Sequence, residues 1–515
     1  MRRPPLLAAI LFPLLAIAPV GALAGTITLE PVEDRAFGLS ASIPAGWTKI
    51  GPGLYARGDP ASDPTILAVQ AAPVAPDDLW PSLLPQLGQT ERPDAVGVRL
   101  GKTLDWTLYQ VSVSLPSGEI AVHLALAADG STTYIVLLQS PSAESDELYD
   151  AVFLPVLDSV TPLAGPASPS PGSLPYDAVE VSFPGGADDV TLAGTLTTPR
   201  TQGPWPAVVL LSGSGAQDRD ESLAPVASIK PFALLADALT PAGFAVLRFD
   251  DRGVGGSTGD YASATIADLT ADARAALDFL ATRDDVDPAR LALLGHSEGG
   301  IYAASLAASD PRLAFVVTLA GPARTGVELL VSQNLAMSRA AGASAADLED
   351  LRRLVEPVMV AARDGDRAAV EAGLRAMIGA AYDALSPDAQ ALLGDRTEYI
   401  DAQVEAQLPV LTSDWFRSLL ASDPGADWGR TTIPVLGVFG GKDVQVPAAE
   451  EAPAMEAALE AAGNADHEVV TLPEANHLFQ AADTGTVAEY STLADTFTPD
   501  LLPTIVEWLS RHTGG

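Results

Sequence analysis

The sequence predicts an α/β protein, with a mainly parallel sheet flanked by helices, behind a separate and smaller α+β domain. Three observations carry that expectation. From residue 206 onward, short apolar runs (206–211, 244–248, 291–294, 313–319, 433–439 and 467–472) alternate with helical stretches (229–242, 266–281 and 499–509). This is how parallel strands are joined, by crossovers that lay helices on both faces of the sheet. Upstream, residues 25–163 hold six strand-like runs and two helical ones. Between the two regions lies Gly165-Pro-Ala-Ser-Pro-Ser-Pro-Gly-Ser173, in which proline alternates with small residues. Such a stretch cannot bury a core and favours extended polyproline II structure, so residues 164–175 are expected to be a linker and 176–515 the second domain.

The 515 residues suffice for two or three domains with ample cores. Residues 1–24 have the layout of a cleavable export signal: Arg2 and Arg3, an apolar run from Leu6 to about Val20, then Ala22-Leu23-Ala24, with cutting expected after Ala24. Pro13 and Pro19 interrupt the run and speak against a retained membrane anchor. The expected location is a bacterial periplasm or the outside medium. With no cysteine there is no lipoprotein anchor, disulfide framework or thiolate site. A formal net charge of −37 argues against binding nucleic acid or anionic membranes, and no stable membrane insertion is expected after cleavage.

In residues 25–163 the runs 39–43, 65–70, 96–100, 106–114, 120–127 and 132–139 are rich in β-branched, aromatic or alternating apolar residues and read as strands. Asp129-Gly130 suits a hairpin between the last two. Helices are expected at about 76–87 and 144–159. The Ile43-Pro-Ala-Gly-Trp47 start, the strand meander and the closing helix resemble PsbP/Mog1-like α/β sandwich modules. Neither an acid/base pair nor a metal-ligand cluster marks this domain. His123, within a strand pattern, reads as a packed or surface residue. A binding or docking role is expected.

In the second domain two strands, 179–183 and 191–198, read as an antiparallel hairpin before the alternation begins. The central stretch is 291–302. An apolar run leads into Gly295-His296-Ser297-Glu298-Gly299, and small residues from Ala303 to Ala308 follow as a helix. Gly-x-Ser-x-Gly between strand and helix forces the serine into a strained conformation with its hydroxyl projecting. Side chains at 295 and 299 would collide with the neighbouring strand or helix. The Glu298 N–H then lies at a helix N-terminus, where it can stabilise a developing oxyanion. The first parallel strand is followed by Ser212-Gly213-Ser214-Gly215-Ala216-Gln217-Asp218-Arg219-Asp220. Its small residues let a substrate approach the backbone, and it lacks the Gly-Lys-Ser/Thr of a phosphate loop. Phe249-Asp250-Asp251-Arg252-Gly253-Val254-Gly255-Gly256-Ser257 ends the next strand. Two aspartates beside one arginine point to a structural ion-pair network rather than to catalysis.

These three motifs, in this order, resemble the α/β-hydrolase superfamily, and more narrowly bacterial carboxylesterases related to the serine aminopeptidase (S33) and prolyl oligopeptidase groups. The resemblance runs from about Val179 to the C-terminus. It implies an α/β-hydrolase fold, a Ser-His-Asp triad in the chain order nucleophile, acid, base, and no metal or organic cofactor. Ser297 is the implied nucleophile. The loop after Leu211 matches the one that supplies a second oxyanion N–H, assigned to Ser214 with Gly215 as the alternative. Of the five histidines, His123 is in the other domain, His296 adjoins the nucleophile and is expected to point away from its partner, His467 precedes a strand, and His512 lies at the end of the last helix, where fraying is expected. His477, in Pro473-Glu-Ala-Asn-His-Leu-Phe479 beyond the last strand, is the implied general base. Asp443, in Gly440-Gly441-Lys442-Asp443, is the implied acid, with Glu474 as the alternative.

About a hundred residues separate Leu319 from Ile433. Amphipathic stretches at 326–340, 345–364, 368–384 and 398–420 read as helices. Their position matches the helical lid of related hydrolases, here about 323–430. Trp415, Phe416, Trp428, Met337 and Met377 are candidate pocket walls. The function this implies is an exported serine hydrolase whose partner is a small-molecule ester, of short or medium acyl chain, cleaved through an acyl-enzyme. Two other readings stand beside it. One is a peptidase using the same triad, with carboxylates such as Glu328, Glu349, Asp350 and Glu356 available to a free amine. The other is a binding protein on a hydrolase scaffold, with the first domain as the functional part. The oligomeric state is left open.

Overall fold

The structure is a computed structural model and describes residues 27–513 apart from 35–36, 52, 59–62, 73, 88, 90, 116–117, 131, 164–173, 224–225, 388–389, 391–392 and 394. The expected signal segment and nearly all of the expected linker lie outside the described residues. The chain divides into two compact units, residues 1–168 with 224–228, and residues 169–223 with 229–515. Among the described residues no helix is long and apolar enough to cross a membrane.

The first unit contains β1 (Leu29–Asp34), β2 (Leu39–Pro44), β3 (Thr48–Gly51), β4 (Leu54–Ala56), β5 (Ile66–Ala72), α1 (Pro76–Gln86), β6 (Gly97–Leu100), β7 (Asp105–Leu115), β8 (Gly118–Asp129), β9 (Thr132–Pro141), α2 (Ser145–Leu148), α3 (Leu154–Ser159) and β10 (Thr161–Pro162). Seven strands form one antiparallel sheet in the order β3-β4-β5-β9-β8-β7-β6, and β1, β2 and β10 form a small second one. Alternation along each strand sorts side chains between the two faces. On β9, Val136 and Leu138 pack with Trp106, Phe153 and Leu157, whereas Ile135 and Leu137 pack with Leu79, Trp80 and Leu83 of α1. The helix expected over 144–159 is interrupted by a π-helical turn, Tyr149–Phe153. Pro155 explains it: it has no N–H for the preceding turn, and its ring needs that turn widened. His123 is a packed residue, buried with Nε2 2.7 Å from Ser145 Oγ and its ring against Tyr149.

The second unit opens with β11 (Tyr176–Pro184) and β12 (Thr191–Pro199), then β13 (Trp205–Leu211), α4 (Pro231–Leu239), β14 (Ala245–Phe249), α5 (Ile266–Ala281), β15 (Val286–His296), α6 (Gly299–Ala307) and β16 (Leu313–Leu319). The insertion supplies α7 (Gly326–Ala340), α8 (Ala345–Asp364), α9 (Arg367–Asp383), α10 (Arg396–Leu411), α11 (Asp414–Leu420) and α12 (Pro424–Trp428). The chain ends with β17 (Val435–Gly440), α13 (Ala448–Ala461), β18 (His467–Leu472) and α14 (Leu501–Thr513). The eight strands make one sheet, β11-β12-β14-β13-β15-β16-β17-β18, antiparallel at β11–β12 and β12–β14 and parallel elsewhere. Burial on both faces explains why β13, β16 and β17 read as unbroken apolar runs. β13 lies between β14 and β15, so the strand order reverses there and a crevice opens beyond its carboxyl end.

The structure departs from the sequence reading in the insertion. The helix expected over 398–420 is two helices, because the Ser413 hydroxyl accepts the Phe416 N–H at 3.1 Å and starts α11 afresh. The insertion is tied down at its start, where Glu451 of α13, fully buried, accepts from Ala323 N–H at 2.8 Å and pairs with Arg324 Nε at 2.9 Å.

The Asp-Asp-Arg motif is a structural network. Asp250 pairs with Arg219 Nη2 at 2.8 Å, and Arg252 Nε lies 2.7 Å from Asp272 Oδ2, with side chains 8% and 4% exposed in the second pair. Removing one partner of such a pair leaves a buried unpaired charge, which costs about 3–5 kcal/mol. Asp272→Ala is therefore expected to lower the urea midpoint of the second unit by that amount of stability while leaving turnover per folded molecule intact.

Candidate active site

β15 ends at His296, and the chain turns at Ser297 with φ +52°, in the left-handed region. A non-glycine residue stays there only when its surroundings enforce it. Here Ser297 N–H donates to Leu319 O at 2.9 Å, and Gly300 N–H to Ser297 O at 2.9 Å. The turn is packed too tightly for side chains. A Cβ at Gly295 would lie 2.3 Å from Gly299 O, and one at Gly299 would lie 2.2 Å from Leu211 O. α6 starts directly behind, with Glu298 as its N-cap.

His477 and Asp443 meet Ser297 from two other loops. His477 Nε2 is 3.0 Å from Ser297 Oγ, and His477 Nδ1 is 2.8 Å from Asp443 Oδ2. Asp443 and His477 are buried, and Ser297 is half-buried. The Asp443 carboxylate is aimed by its other oxygen, which accepts from Gln445 N–H at 2.7 Å and Val446 N–H at 2.9 Å. The His477 loop is built on Asn476, whose Oδ1 accepts from the N–H groups of Leu478 and Gln480, each at 2.9 Å. Glu474, the alternative acid, is exposed, and it is Asp443 that faces the imidazole.

The loop after β13 runs directly beside Ser297: a Cβ at Gly213 would lie 3.2 Å from Ser297 Cβ. Gly213 N–H donates to Glu221 Oε1 at 2.7 Å, and Gly215 N–H to the Tyr261 hydroxyl at 2.9 Å. Of the two candidates for a second oxyanion donor, Gly215 is thus already engaged, while Ser214 is exposed between these anchors.

Behind this loop lie three buried carboxyls, Glu221, Asp251 and Glu298. Asp251 accepts from Ser212 Oγ and Gln217 N–H, each at 2.9 Å. Burial, aided by the neighbouring Glu298 and Glu221, nonetheless pushes its pKa up to about 8. Burial also raises Glu298, against hydrogen bonds from Tyr302, Trp415 and Ser214. The Tyr302 hydroxyl donates to Glu298 Oε1, and Trp415 Nε1 of α11 donates to the same oxygen at 3.2 Å.

Trp415 is thus the candidate wall that reaches the elbow. Trp428 is a core residue whose Nε1 donates to Pro322 O at 3.3 Å; Phe416 is buried, Met377 half-buried and Met337 exposed. Motif reading missed Glu221, Tyr261 and Tyr302. Tyr302 carried a signal, since it stands four residues after Glu298 and so on the same helix face. Two histidine expectations need correction. His512 is not frayed: α14 extends through it, its ring packs on Trp508, and Nε2 lies 3.1 Å from Asp466 Oδ1. His296 does not point away from His477. The two rings are 4.8 Å apart, and His296 Nε2 is 2.9 Å from His477 O.

The buried acid Asp251 yields a test by pH. A carboxyl ordinarily titrates near 3.9, so between about 4 and about 8 the folded protein keeps a proton that the unfolded chain has lost. The stability tied to that proton is fully present below the unfolded value and is lost as pH rises through the folded one. Asp251→Asn, which cannot ionise, is expected to gain stability relative to the wild type across that window and to level off above it, read as urea midpoints at stepped pH. A difference constant with pH would contradict it.

A family model described as "Serine aminopeptidase, S33" matches residues 227–360. Esterase EstD of Thermotoga maritima is 24% identical over 401 residues, 78% of this chain and 78% of that protein. An uncharacterized protein of Mycobacterium tuberculosis is 36% identical over 159 residues, 30% of this chain, and the chain spans 50% of that protein's length. Among solved structures, an esterase of Pyrococcus furiosus is 15% identical with a TM-score of 0.40, over 67% of this chain and 94% of that one. The order of the eight-stranded sheet and the turn after β15 point where the family match points, and the second unit has an α/β-hydrolase fold.

Proposed function

We propose that the protein is an esterase-type serine hydrolase, exported from its cell, which cleaves esters of short or medium acyl chain. The observation that carries this reading is the relay of hydrogen-bonding distances from Ser297 Oγ through His477 to Asp443. His477 Nε2 removes the hydroxyl proton as Ser297 attacks the ester carbonyl, and Asp443 holds the imidazole in the tautomer with its proton on Nδ1. The N–H groups of Glu298 and Ser214 receive the oxyanion of the tetrahedral intermediate. His477 then protonates the departing alcohol, and a water repeats the sequence on the acyl-enzyme. No step of this chemistry needs a metal or an organic cofactor.

The similarity to the serine aminopeptidase model keeps a peptidase reading in view. Against it, the carboxylates expected to meet a free amine do not line the elbow. Glu328 caps α7 at Thr325, Asp350 pairs with Arg353, and Glu349 and Glu356 are exposed. The carboxylate that does reach the elbow, Glu298, is already engaged by Tyr302 and Trp415. For the first unit, whose sheet is covered on both faces by its own helices and strands, a docking or binding role stands as a proposal.

Labelling with a fluorophosphonate is expected to modify Ser297. Ser297→Ala is expected to lower kcat on a short-chain aryl ester by about 10⁴-fold or more with the fold intact by circular dichroism. Retained turnover would sink the assignment, and faster cleavage of aminoacyl amides than of esters would move it to the peptidase. If the protein is exported as proposed, the mature chain begins at Gly25, which N-terminal sequencing of secreted material checks.

A further inference from the structure

His296 has both ring nitrogens committed to oxygen acceptors: Nδ1 lies 2.8 Å from Glu221 Oε1 and Nε2 lies 2.9 Å from His477 O. A backbone carbonyl can only accept, so Nε2 carries a proton. Glu221 Oε1 also accepts the Gly213 N–H at 2.7 Å, and a donated amide stabilises the ionised carboxylate. The proton shared by Glu221 and His296 therefore sits on Nδ1, and the ring is charged. Both residues are buried, His296 at 5% and Glu221 at 1% exposure. Glu221 is held at φ +54°, a conformation that persists only where the surrounding structure over-determines it.

We propose that His296 is a positioning residue, a buried imidazolium that together with Glu221 ties the oxyanion loop at Gly213 to the backbone of His477, across the nucleophile between them. His477 is then held twice, its ring by Asp443 and its carbonyl by His296. The groups facing His296 are Glu221 from the loop after β13, Asp443 from the loop after β17, and His477 and Phe479 from the loop after β18. Burial opposes the charge on the ring. The Glu221 carboxylate, the His477 carbonyl and Asp443 outweigh it and hold the pKa above the ordinary histidine value. The sign of the pH effect follows. A raised histidine pKa supplies stabilisation that is present at low pH and lost as pH rises through the folded value. Loss of the proton releases either Glu221 or the His477 carbonyl, and in either case the tie between the two loops is broken on the alkaline side.

The kinetic consequence rests on the esterase reading, whereas the protonation state does not, so the two can fail separately. The full-length protein is labelled with ¹⁵N in its five histidine rings and observed at about pH 8, above the ordinary value of about 6.5. One ring with both nitrogens protonated is expected, lost in Glu221→Gln. A wild-type spectrum in which every ring is neutral at that pH overturns the proposal, whether or not the variant folds. In ester turnover, Glu221→Gln is expected to lower kcat about 10- to 100-fold, the size of effect that small misplacements of reacting groups produce. KM is expected to stay within about twofold, and the alkaline limb of the kcat profile to move to lower pH. An unshifted limb, or a change in KM alone, overturns the positioning role. Absence of label on Ser297 would instead overturn the esterase reading and leave the ring measurement standing.

Discussion

Everything at this site depends on the close approach of backbone to backbone at Gly295 and Gly299. Each occupies a gap that a single Cβ would overfill, against Gly299 O and Leu211 O respectively. That contact presses the start of α6 onto the ends of β13 and β15 and holds Ser297 at a positive φ. The left-handed turn is unfavourable by itself, and the surrounding packing over-determines it. The loop after β13 is brought against the nucleophile by the same contact, since Leu211 is its last strand residue. Ser297, the loop after β13 and the start of α6 are therefore one packed assembly, and the sheet order decides only which further loops can reach it.

The electrostatic arrangement follows from a difficulty peculiar to this chain. It carries a net charge of −37, and three of its carboxyls are buried close behind the place where, on the proposed mechanism, a negative charge develops. Ionised and unpaired, they would repel that charge, the more so because they are buried away from the screening of bulk water. Two separate devices avoid this. Burial raises Asp251 to about 8 and raises Glu298 as well, which favours their neutral acids. Glu221, by contrast, is matched by His296 and by the Gly213 amide. The loop can thus be surrounded by acidic residues without an accumulated negative field at Ser214, the position whose N–H is proposed to meet an incoming oxyanion.

What could be read from the sequence was set by whether the signal was local. The central strands were legible because burial on both faces leaves them almost wholly apolar. The elbow was legible because its constraint, no side chain at 295 or 299, is written as glycine. Asp443 and His477 followed from the chain order that the resemblance to α/β-hydrolases implies, and they lie within hydrogen-bonding distance of one another. Glu221 was not legible, because nothing near it in sequence distinguishes it from the other acids of an acidic chain. Its role comes from a fold that brings it to His296, 75 residues away. For His296 the expectation treated the elbow as a local turn and missed the returning loop that brings the His477 carbonyl to it. The break between α10 and α11 was hidden because helical periodicity continues across Ser413, and only the capping bond shows that the helix restarts.

That restart bears on where substrate preference resides. α11 has seven residues, too few to be stable as an isolated helix, so tertiary bonds must set its place. Two such bonds lie on it: Trp415 Nε1 to Glu298, and Ser418 Oγ, which accepts the Ile266 N–H at 2.9 Å and so meets the first turn of α5. With Arg324 and Glu451 fixing the start of the insertion, its two ends are pinned to the core of the second unit while α8, α9 and α10 carry exposed ion pairs. A half-buried tryptophan held by the residue next to the nucleophile is placed to feel what is bound there. The outer helices, whose ion pairs are exposed, contribute little energy to any one position. On the proposed function, acyl-chain preference is therefore to be sought in α11 and the residues around Trp415, before the larger bulk of the insertion.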